Sequence, residues 1–384
     1  MNHISESIRY IGADDLRLDL FENQYKLPFG VSYNSYLILD KKICVLDTID
    51  KRATRDWLYN LKNELGDKKP DYLVISHMEP DHSANIETIA KEYPEMKLVV
   101  NAKTTPILKQ FTDIEGIDGR IHEVKEGDKL ELGEHTLNFY MAPMVHWPEV
   151  MVEYEEKEKV LFSADGFGTF GALEHDPRWI VAARRYYTNI VGKFGPSVQA
   201  LLKKAEGLDI QVIAPLHGPI LKEDLAYYIE KYKIWSSYEP EDKGVFVAYA
   251  SIYGNTKEAA IHFARMLEEE GLEVRTADLM RDDHAKAVEY AFKYDRMVLA
   301  SITYDGVLPP AMQSFLYRLS IKNYQNRKVG LIENGSWGPI AAKKMTEELQ
   351  KMKNIEVCEN VVTIRSKRHD SDNEAFEALK NELM

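Results

Sequence analysis

The chain has 384 residues, of which 45% are hydrophobic, and its formal net charge is −13 at pH 7. This length and apolar content suffice for two domains with large buried cores. The negative charge argues against a nucleic-acid partner, because phosphate binding requires a basic surface. The first ten residues lack the apolar core of a signal peptide, and no apolar run could span a bilayer. We therefore expect a cytoplasmic protein with no membrane partner.

The first part of the sequence mixes short strands with helices. Strand-like apolar runs occupy 35–39, 43–46, 71–76 and 97–100, and helical patterns occupy 51–65 and 83–92. This mixture is typical of an α+β sandwich in which two sheets face each other between helices.

The second part of the sequence alternates regularly between strands and helices. A charged, proline-containing segment at 231–244 precedes it, so we predict one domain over 1–240 and another over 244–384. The predicted elements are 245–251, 256–270, 273–278, 297–303, 310–319, 329–333, 341–352, 355–364 and 371–383. Such alternation predicts a doubly wound parallel sheet.

The two cysteines, Cys44 and Cys358, lie in different predicted domains and form no Cys-x-x-Cys pair. The sequence therefore predicts neither a disulfide framework nor an attached rubredoxin-type iron site. Each cysteine is more simply a small buried hydrophobic residue.

Four potential metal ligands follow the apolar run 71–76 within the segment His77-Met78-Glu79-Pro80-Asp81-His82. A polar segment with proline after a buried strand predicts a loop, and functional sites are often built on such loops. Imidazole together with carboxylate suits iron, zinc or manganese, whereas calcium and magnesium prefer oxygen ligands alone. An ordinary solvated loop is the alternative interpretation.

Three further candidate ligands each follow an apolar, strand-like run and lie close to Gly or Pro. They are His146 after 140–145, Asp165 after 160–164 and His217 after 210–216. Four strand ends that supply His, Glu and Asp together favour a binuclear metal centre over four unrelated coincidences.

A candidate phosphate loop lies in the second part, where the segment Ser251-Ile252-Tyr253-Gly254-Asn255-Thr256 runs from a strand into a helix. Hydroxyl and backbone N–H groups at a helix start form an anion pocket, and a glycine allows close backbone approach. The Walker lysine and the three-glycine dinucleotide pattern are missing, so the loop suits one terminal phosphate better than a pyrophosphate. Helix capping by Ser or Thr is the alternative.

Two more strand ends, at 301–306 and 333–338, place the aromatic residues Tyr304 and Trp337 among small residues. A planar ligand requires such a setting, because an aromatic ring stacks on its face while the backbone approaches its edge. The alternative is that both rings are ordinary core residues.

The order His-x-Glu-x-Asp-His, followed by His146, Asp165 and His217, resembles the metal site of the flavodiiron proteins, a branch of the metallo-β-lactamase fold. Zinc hydrolases of that fold usually carry histidine where this chain has Glu79, and an anionic oxygen ligand suits ferric iron. The resemblance implies one iron held by His77, Glu79 and His146, a second held by Asp81, His82 and His217, and Asp165 as the bridge. His82 ranks last among the seven, because it is not a direct ligand in every member.

The three loops at the ends of the first, third and fourth strands of the second part resemble the FMN site of flavodoxins. The resemblance implies a phosphate cradle formed by Ser251, Tyr253, Gly254, Asn255 and Thr256. It implies an isoalloxazine pocket formed by Thr303, Tyr304, Asp305, Gly306, Asn334, Gly335, Ser336, Trp337 and Gly338. Both resemblances together cover nearly the whole chain and imply a metallo-β-lactamase-like αββα sandwich followed by a flavodoxin-like doubly wound sheet.

The resemblance implies an oxidoreductase that receives electrons from an external carrier such as rubredoxin, passes them through FMN to two irons, and reduces O2 to water or NO to N2O. We favour O2 with NO as a second substrate. A head-to-tail homodimer, or a dimer of such dimers, is implied as well. Two alternatives remain open, a zinc hydrolase fused to a flavodoxin module and an electron carrier with an inactive metal domain.

Three further residues near the candidate ligands are assigned supporting or structural roles and are not predicted to be ligands. Trp147 and His175 could shape the pocket or supply a proton, but packing or indirect support of the ligands is the simpler interpretation. Asp47, at the end of an early strand, is interpreted as structural.

Overall fold

The structure, a computed structural model, describes residues 3–175 and 178–384. The chain divides into two compact units, one formed by Met1–Tyr187 and Pro196–Lys233, the other by Thr188–Gly195 and Ile234–Met384. That residues 1–240 and 244–384 form separately folding domains stays a prediction. Within the described ranges, no helix is long and apolar enough to cross a membrane.

The first unit contains the strands β1 (Ile8–Tyr10), β2 (Ala13–Asp15), β3 (Leu20–Phe21), β4 (Tyr25–Lys26), β5 (Val31–Tyr33), β6 (Tyr36–Ile38), β7 (Cys44–Leu46), β8 (Tyr72–Val74), β9 (Lys97–Val100), β10 (Ile121–Glu123), β11 (Lys129–Glu131), β12 (Thr136–Met141), β13 (Met151–Glu155), β14 (Val160–Phe162) and β15 (Val212–Ala214). The helices along the chain up to residue 236 are α1 (Thr54–Leu65), α2 (Pro80–Ser83), α3 (Ile86–Glu92), α4 (Thr104–Phe111), α5 (Trp179–Tyr186), α6 (Gly195–Ala205) and α7 (Leu225–Ser236).

Two sheets face each other in the first unit. One has the order β1-β6-β7-β8-β9-β10 and the other the order β11-β12-β13-β14-β15. Alternate residues of both sheets share one core, with Leu46 and Val74 from the first sheet and Phe139 and Phe162 from the second. The period of two along each strand explains this arrangement, because every second side chain points into the space between the sheets.

The predicted sandwich is confirmed, and the predicted runs at 35–39, 43–46, 71–76 and 97–100 contain observed strands. The prediction of a loop throughout 77–82 is wrong in part, because Asp81 and His82 lie in the short helix α2. Pro80 begins this helix, and proline favours the first helical turn because its φ is already helical and its missing N–H is not needed there.

The second unit contains β16 (Asp242–Ala250), α8 (Asn255–Glu269), β17 (Val274–Asp278), α9 (His284–Lys293), β18 (Tyr294–Ile302), α10 (Pro310–Ile321), β19 (Arg327–Asn334), α11 (Ala341–Leu349), β20 (Ile355–Ile364) and α12 (Asn373–Leu383). Its strands are all parallel, in the order β17-β16-β18-β19-β20. The predicted doubly wound sheet is therefore confirmed, and the strand order reverses between β16 and β18, where such sheets bind ligands at the carboxyl ends of the strands.

Sequence reasoning did not predict the helix α9. Asp283 caps it by accepting the backbone N–H of Ala285, and Val288 and Phe292 are buried on its inner face. An N-cap aspartate before apolar residues four apart is a recognisable helix start, so the signal was present in the sequence.

Candidate functional sites

The seven predicted ligands lie at the ends of neighbouring elements of the first unit. His77 and Glu79 lie between β8 and α2, and His146, Asp165 and His217 follow β12, β14 and β15. Asp81 and His82 are carried by α2. The structure brings their side chains together in two groups, and within each group the potential ligand atoms lie within 4.8 Å of one another.

The first group consists of His77, Glu79, His146 and Asp165. Glu79 Oε2 lies 2.9 Å from His146 Nε2 and 3.3 Å from His77 Nε2. Ligand atoms bound to one metal at about 2.1 Å lie roughly 3 Å apart, so these separations match the edges of a coordination sphere.

The second group consists of Asp81, His82 and His217. Asp81 Oδ2 lies 3.1 Å from His217 Nε2 and 3.4 Å from His82 Nε2. Both histidine side chains are completely buried, so bulk water cannot form hydrogen bonds with their ring nitrogens.

Asp165 faces both groups with different oxygens. Its Oδ2 lies 3.2 Å from His146 Nε2 and 3.4 Å from His77 Nε2. Its Oδ1 lies 3.3 Å from His82 Nε2 and 3.7 Å from His217 Nε2. One carboxylate is thus arranged to bridge two metal ions.

Many polar atoms of the cluster are buried without a hydrogen bond. They are both carboxylate oxygens of Asp81 and of Asp165, both ring nitrogens of His82, and Nε2 of His146 and His217. Buried polar groups normally find partners, so a concentration of unsatisfied acceptors and imidazole nitrogens fits a site built for cations. The residues present therefore fit a pair of metal ions.

The electrostatics of the metal-free cluster agree with this fit. Burial disfavours a charge on His146, but Asp165 and Glu79 outweigh it and raise its pKa to about 9. Burial likewise opposes a charge on His77, yet Glu149 and Glu79 raise its pKa above the ordinary value. The buried carboxylates of the cluster thus favour positive charge on these rings, and metal ions would supply such charge.

Sequence reasoning missed the groups that orient the candidate ligands. The Nδ1 N–H of His77 donates to Glu149 Oε1 at 2.8 Å, and that of His217 donates to the backbone carbonyl of Ser32 at 2.7 Å. Glu149 stands three residues after His146, so its position beside a candidate ligand was a usable signal. Ser32 offered none, because any residue type supplies a carbonyl.

The three residues predicted to have supporting or structural roles, Trp147, Asp47 and His175, differ in their positions relative to the ligand groups. The Trp147 ring lies 5.2 Å from that of His77, perpendicular to it. Asp47 is buried and accepts the backbone N–H of Ser76 at 2.8 Å, which agrees with a structural role. His175 is 45% exposed and faces Glu174, and neither residue belongs to the two groups.

A second site, a cavity of about 530 Å³, lies at the carboxyl ends of the strands in the second unit. The predicted residues that line it are Ser251, Tyr253, Asn255, Thr256, Thr303, Asp305, Gly306, Asn334, Gly335, Ser336, Trp337 and Gly338. Gly254 and Tyr304 are not among its lining residues. Ile252, Ile302 and Ser366 also line it and were not predicted.

The start of α8 has the features of an anion site. The Thr256 hydroxyl is buried without a hydrogen-bond partner, and Gly254 precedes the helix with φ 94°, a conformation that favours glycine. A phosphate oxygen would satisfy the hydroxyl and the free N–H groups of the first helical turn. Trp337 is 94% exposed at the same cavity, which leaves its ring free to cover a planar ligand.

Comparisons with known proteins match both units. Residues 31–218 match the family described as ODP family beta lactamase, and residues 247–378 match Flavodoxin. An anaerobic nitric oxide reductase flavorubredoxin of Aeromonas hydrophila is 30% identical over 355 residues, which cover 87% of this chain and 70% of that protein. An uncharacterized protein of Methanocaldococcus jannaschii is 30% identical over 94% of this chain and 92% of its own length.

Solved structures share the fold. The rubredoxin oxygen:oxidoreductase of Desulfovibrio gigas superposes with a TM-score of 0.92 at 24% identity, covering 100% of this chain and 97% of that one. The flavodiiron protein of Giardia intestinalis superposes with a TM-score of 0.89 at 23% identity, covering 99% and 95%.

The chain belongs to the flavodiiron family of oxidoreductases. Its flavodoxin domain implies FMN, and the family carries a non-haem diiron centre, as the resemblance predicted. The zinc hydrolase and the inactive electron carrier are not favoured by these relatives.

Proposed function

We propose that this protein reduces O2 to water, NO to N2O, or both, with electrons delivered through FMN from an external carrier. The observation that carries the proposal is the arrangement of Asp165, whose two oxygens face separate ligand groups. When bound, the diiron centre and FMN would supply redox chemistry that amino-acid side chains lack.

The ligand assignment is part of the proposal. His77, Glu79 and His146 would hold one iron, Asp81, His82 and His217 the other, and Asp165 both. The glutamate at position 79 supports iron, because it adds an anionic oxygen donor. Glu149 and the Ser32 carbonyl would keep Nε2 of His77 and of His217 directed at the metals.

The flavin assignment rests on the cavity of the second unit. Ser251, Tyr253, Gly254, Asn255 and Thr256 would bind the phosphate, and the loops that follow β18 and β19 would surround the ring system. The unsatisfied Thr256 hydroxyl supports the phosphate position. The exposed Trp337 ring supports stacking.

Metal and flavin analysis of the purified full chain tests both assignments. We expect a yellow protein with about two irons and one FMN per chain. Zinc as the dominant metal after growth in iron-replete medium would contradict the diiron assignment, and a colourless protein that rejects added FMN would contradict the flavin site.

We also propose rubredoxin as the carrier, a cytoplasmic location and a head-to-tail homodimer. They rest on the family, in which a head-to-tail pair brings the FMN of one chain to the irons of its partner. A closed twofold pair would contain two active units, each built from both chains.

Mixing two inactive variants tests the dimer. Asp165→Ala removes the metal bridge and Gly254→Pro disrupts the phosphate loop, so a mixed pair retains one working unit if electrons pass between chains. Random reassortment makes half of the dimers mixed, and activity should return to roughly a quarter of wild type. Inactive mixtures, with mixed dimers verified by mass, would reject electron transfer between chains.

A further inference from the structure

The first unit contains a cavity of about 450 Å³ between the β11–β15 sheet and the helices α6 and α7. Val152, Leu161 and Ile213 line it, whereas their strand neighbours Met151 and Val160 belong to the core between the sheets. The cavity therefore lies on the outer face of this sheet, away from the core between the two sheets.

The cavity is apolar inside and charged at its rim. Val198 and Leu202 of α6 are buried in its wall, and Ile229 of α7 is half-buried opposite. Lys204 and Glu230 are exposed lining residues. Protein interiors leave few voids larger than a water molecule, and an apolar space of this size can accommodate a small ligand.

The wall of the cavity is built partly from the neighbours of candidate metal ligands. Val145 directly precedes His146, and Gly166 directly follows Asp165, and both line the cavity. Phe167 also lines it and is fixed by Tyr232, whose hydroxyl accepts the Phe167 N–H at 2.6 Å and whose ring stacks at 4.2 Å.

We propose that this cavity is a binding chamber for the small apolar oxidant, O2 or NO, next to the metal centre. The inference rests on the proposed function, which supplies the oxidant. Transfer of an apolar molecule from water into apolar surroundings is favourable, and dry apolar cavities in proteins take up gases such as xenon. The charged rim leaves the mouth hydrated, while the aliphatic interior holds the gas beside His146 and Asp165.

Crystals of the full chain under xenon pressure test the chamber directly. We expect xenon to occupy the space between Val198, Leu202 and Ile229. Crystals with no xenon at this position would overturn the inference, while leaving the reductase function untouched.

A cavity-filling variant tests the link to turnover. Ile229→Trp should abolish the xenon site and lower kcat/KM for the gas by on the order of threefold or more, with kcat, iron and FMN content unchanged. Leu201→Trp fills the cavity from the other helix and should act in the same way. Ile107→Trp, at a half-buried position of α4 that does not line the cavity, is the matched control and should change neither xenon binding nor kcat/KM.

The outcomes separate the two proposals. Unchanged kcat/KM in filled variants that have lost xenon would mean that the gas approaches elsewhere, such as past Glu79 and Asp81, and would overturn the chamber. A wild-type protein that binds xenon but consumes neither O2 nor NO would overturn the proposed function and with it the identity of the occupant.

Discussion

The Nδ1 N–H of His77 donates a 2.8 Å hydrogen bond to Glu149 Oε1, and both side chains are fully buried. The same carboxylate oxygen accepts the backbone N–H of Met78 at 2.9 Å. A carboxylate in this position keeps a proton on Nδ1, so that Nε2 is the ring atom available to a metal. His82 has no such support, because its Nδ1 has no hydrogen-bond partner among the described residues.

Replacing Glu149 should weaken metal binding without dismantling the site. For Glu149→Ala we expect iron affinity to fall about 10- to 100-fold, because the His77 ring loses its anchor and part of its basicity. Glu149→Gln keeps a hydrogen-bond acceptor, so its iron affinity should lie between those of the wild type and Glu149→Ala. Competition with a chelator measures the affinity, and Glu131→Ala on the exposed face of β11 is the control. Equal affinities for all four proteins would show that His77 needs no anchor.

Removing the bridge should affect both metal groups at once. Asp165→Ala deletes a carboxylate that faces both groups, so iron content should fall below two per chain and turnover should be severely reduced. The flavin absorption spectrum should not change. Asp67→Ala, at an exposed position, serves as the control. Full turnover in Asp165→Ala would move the chemistry away from the metals.

Metal binding should release protons at neutral pH. In the metal-free protein the pKa of His146 is about 9, so its imidazole is protonated at pH 7, and a metal requires the unprotonated ring. Iron affinity should therefore rise between pH 7 and pH 9, and the contribution of His146 should level off above its pKa. Anaerobic calorimetry in two buffers of different ionisation enthalpy measures the release. Identical heats in both buffers at pH 7 would contradict it.

A fragment of the second unit that contains Tyr238 should be more stable than a fragment that begins after this residue. This side chain is 6% exposed within the core of the unit, and its backbone carbonyl accepts a hydrogen bond from Arg327 at 2.8 Å. A fragment 234–384 keeps these contacts and 244–384 loses them, at a cost of about 3 kcal/mol for a large buried aromatic residue. Urea unfolding measures the difference. Both fragments should bind FMN, and equal midpoints would contradict a role for 234–243.

The sequence predicted both fold classes and the seven candidate ligands, because each ligand stands where an apolar run ends. The end of a strand can be recognised when β-branched residues dominate the apolar run and Gly or Pro follows it, as at His217. The short helix at Asp81 was not predicted, because four residues are too few to establish a helical period.

The surroundings of the ligands were harder to predict, because they depend on contacts between distant parts of the chain. The carbonyl of Ser32 meets His217 across 185 positions. Ser366 lines the cavity of the second unit because β20 ends beside β19, where its N–H donates to Asn334 Oδ1 at 3.0 Å. Both contacts follow from sheet order and register, which local patterns do not specify.

Gas consumption by the fully loaded protein measures the proposed reductase activity itself. The full chain, reconstituted anaerobically with iron and FMN and supplied with reduced rubredoxin, should consume O2 with an electron count that matches water and not peroxide, or convert NO to N2O. An oxygen electrode and gas chromatography measure the two reactions, and protein lacking FMN should be inactive with the same donor. Loaded protein that consumes neither gas while the donor stays reduced would contradict the proposed reductase function.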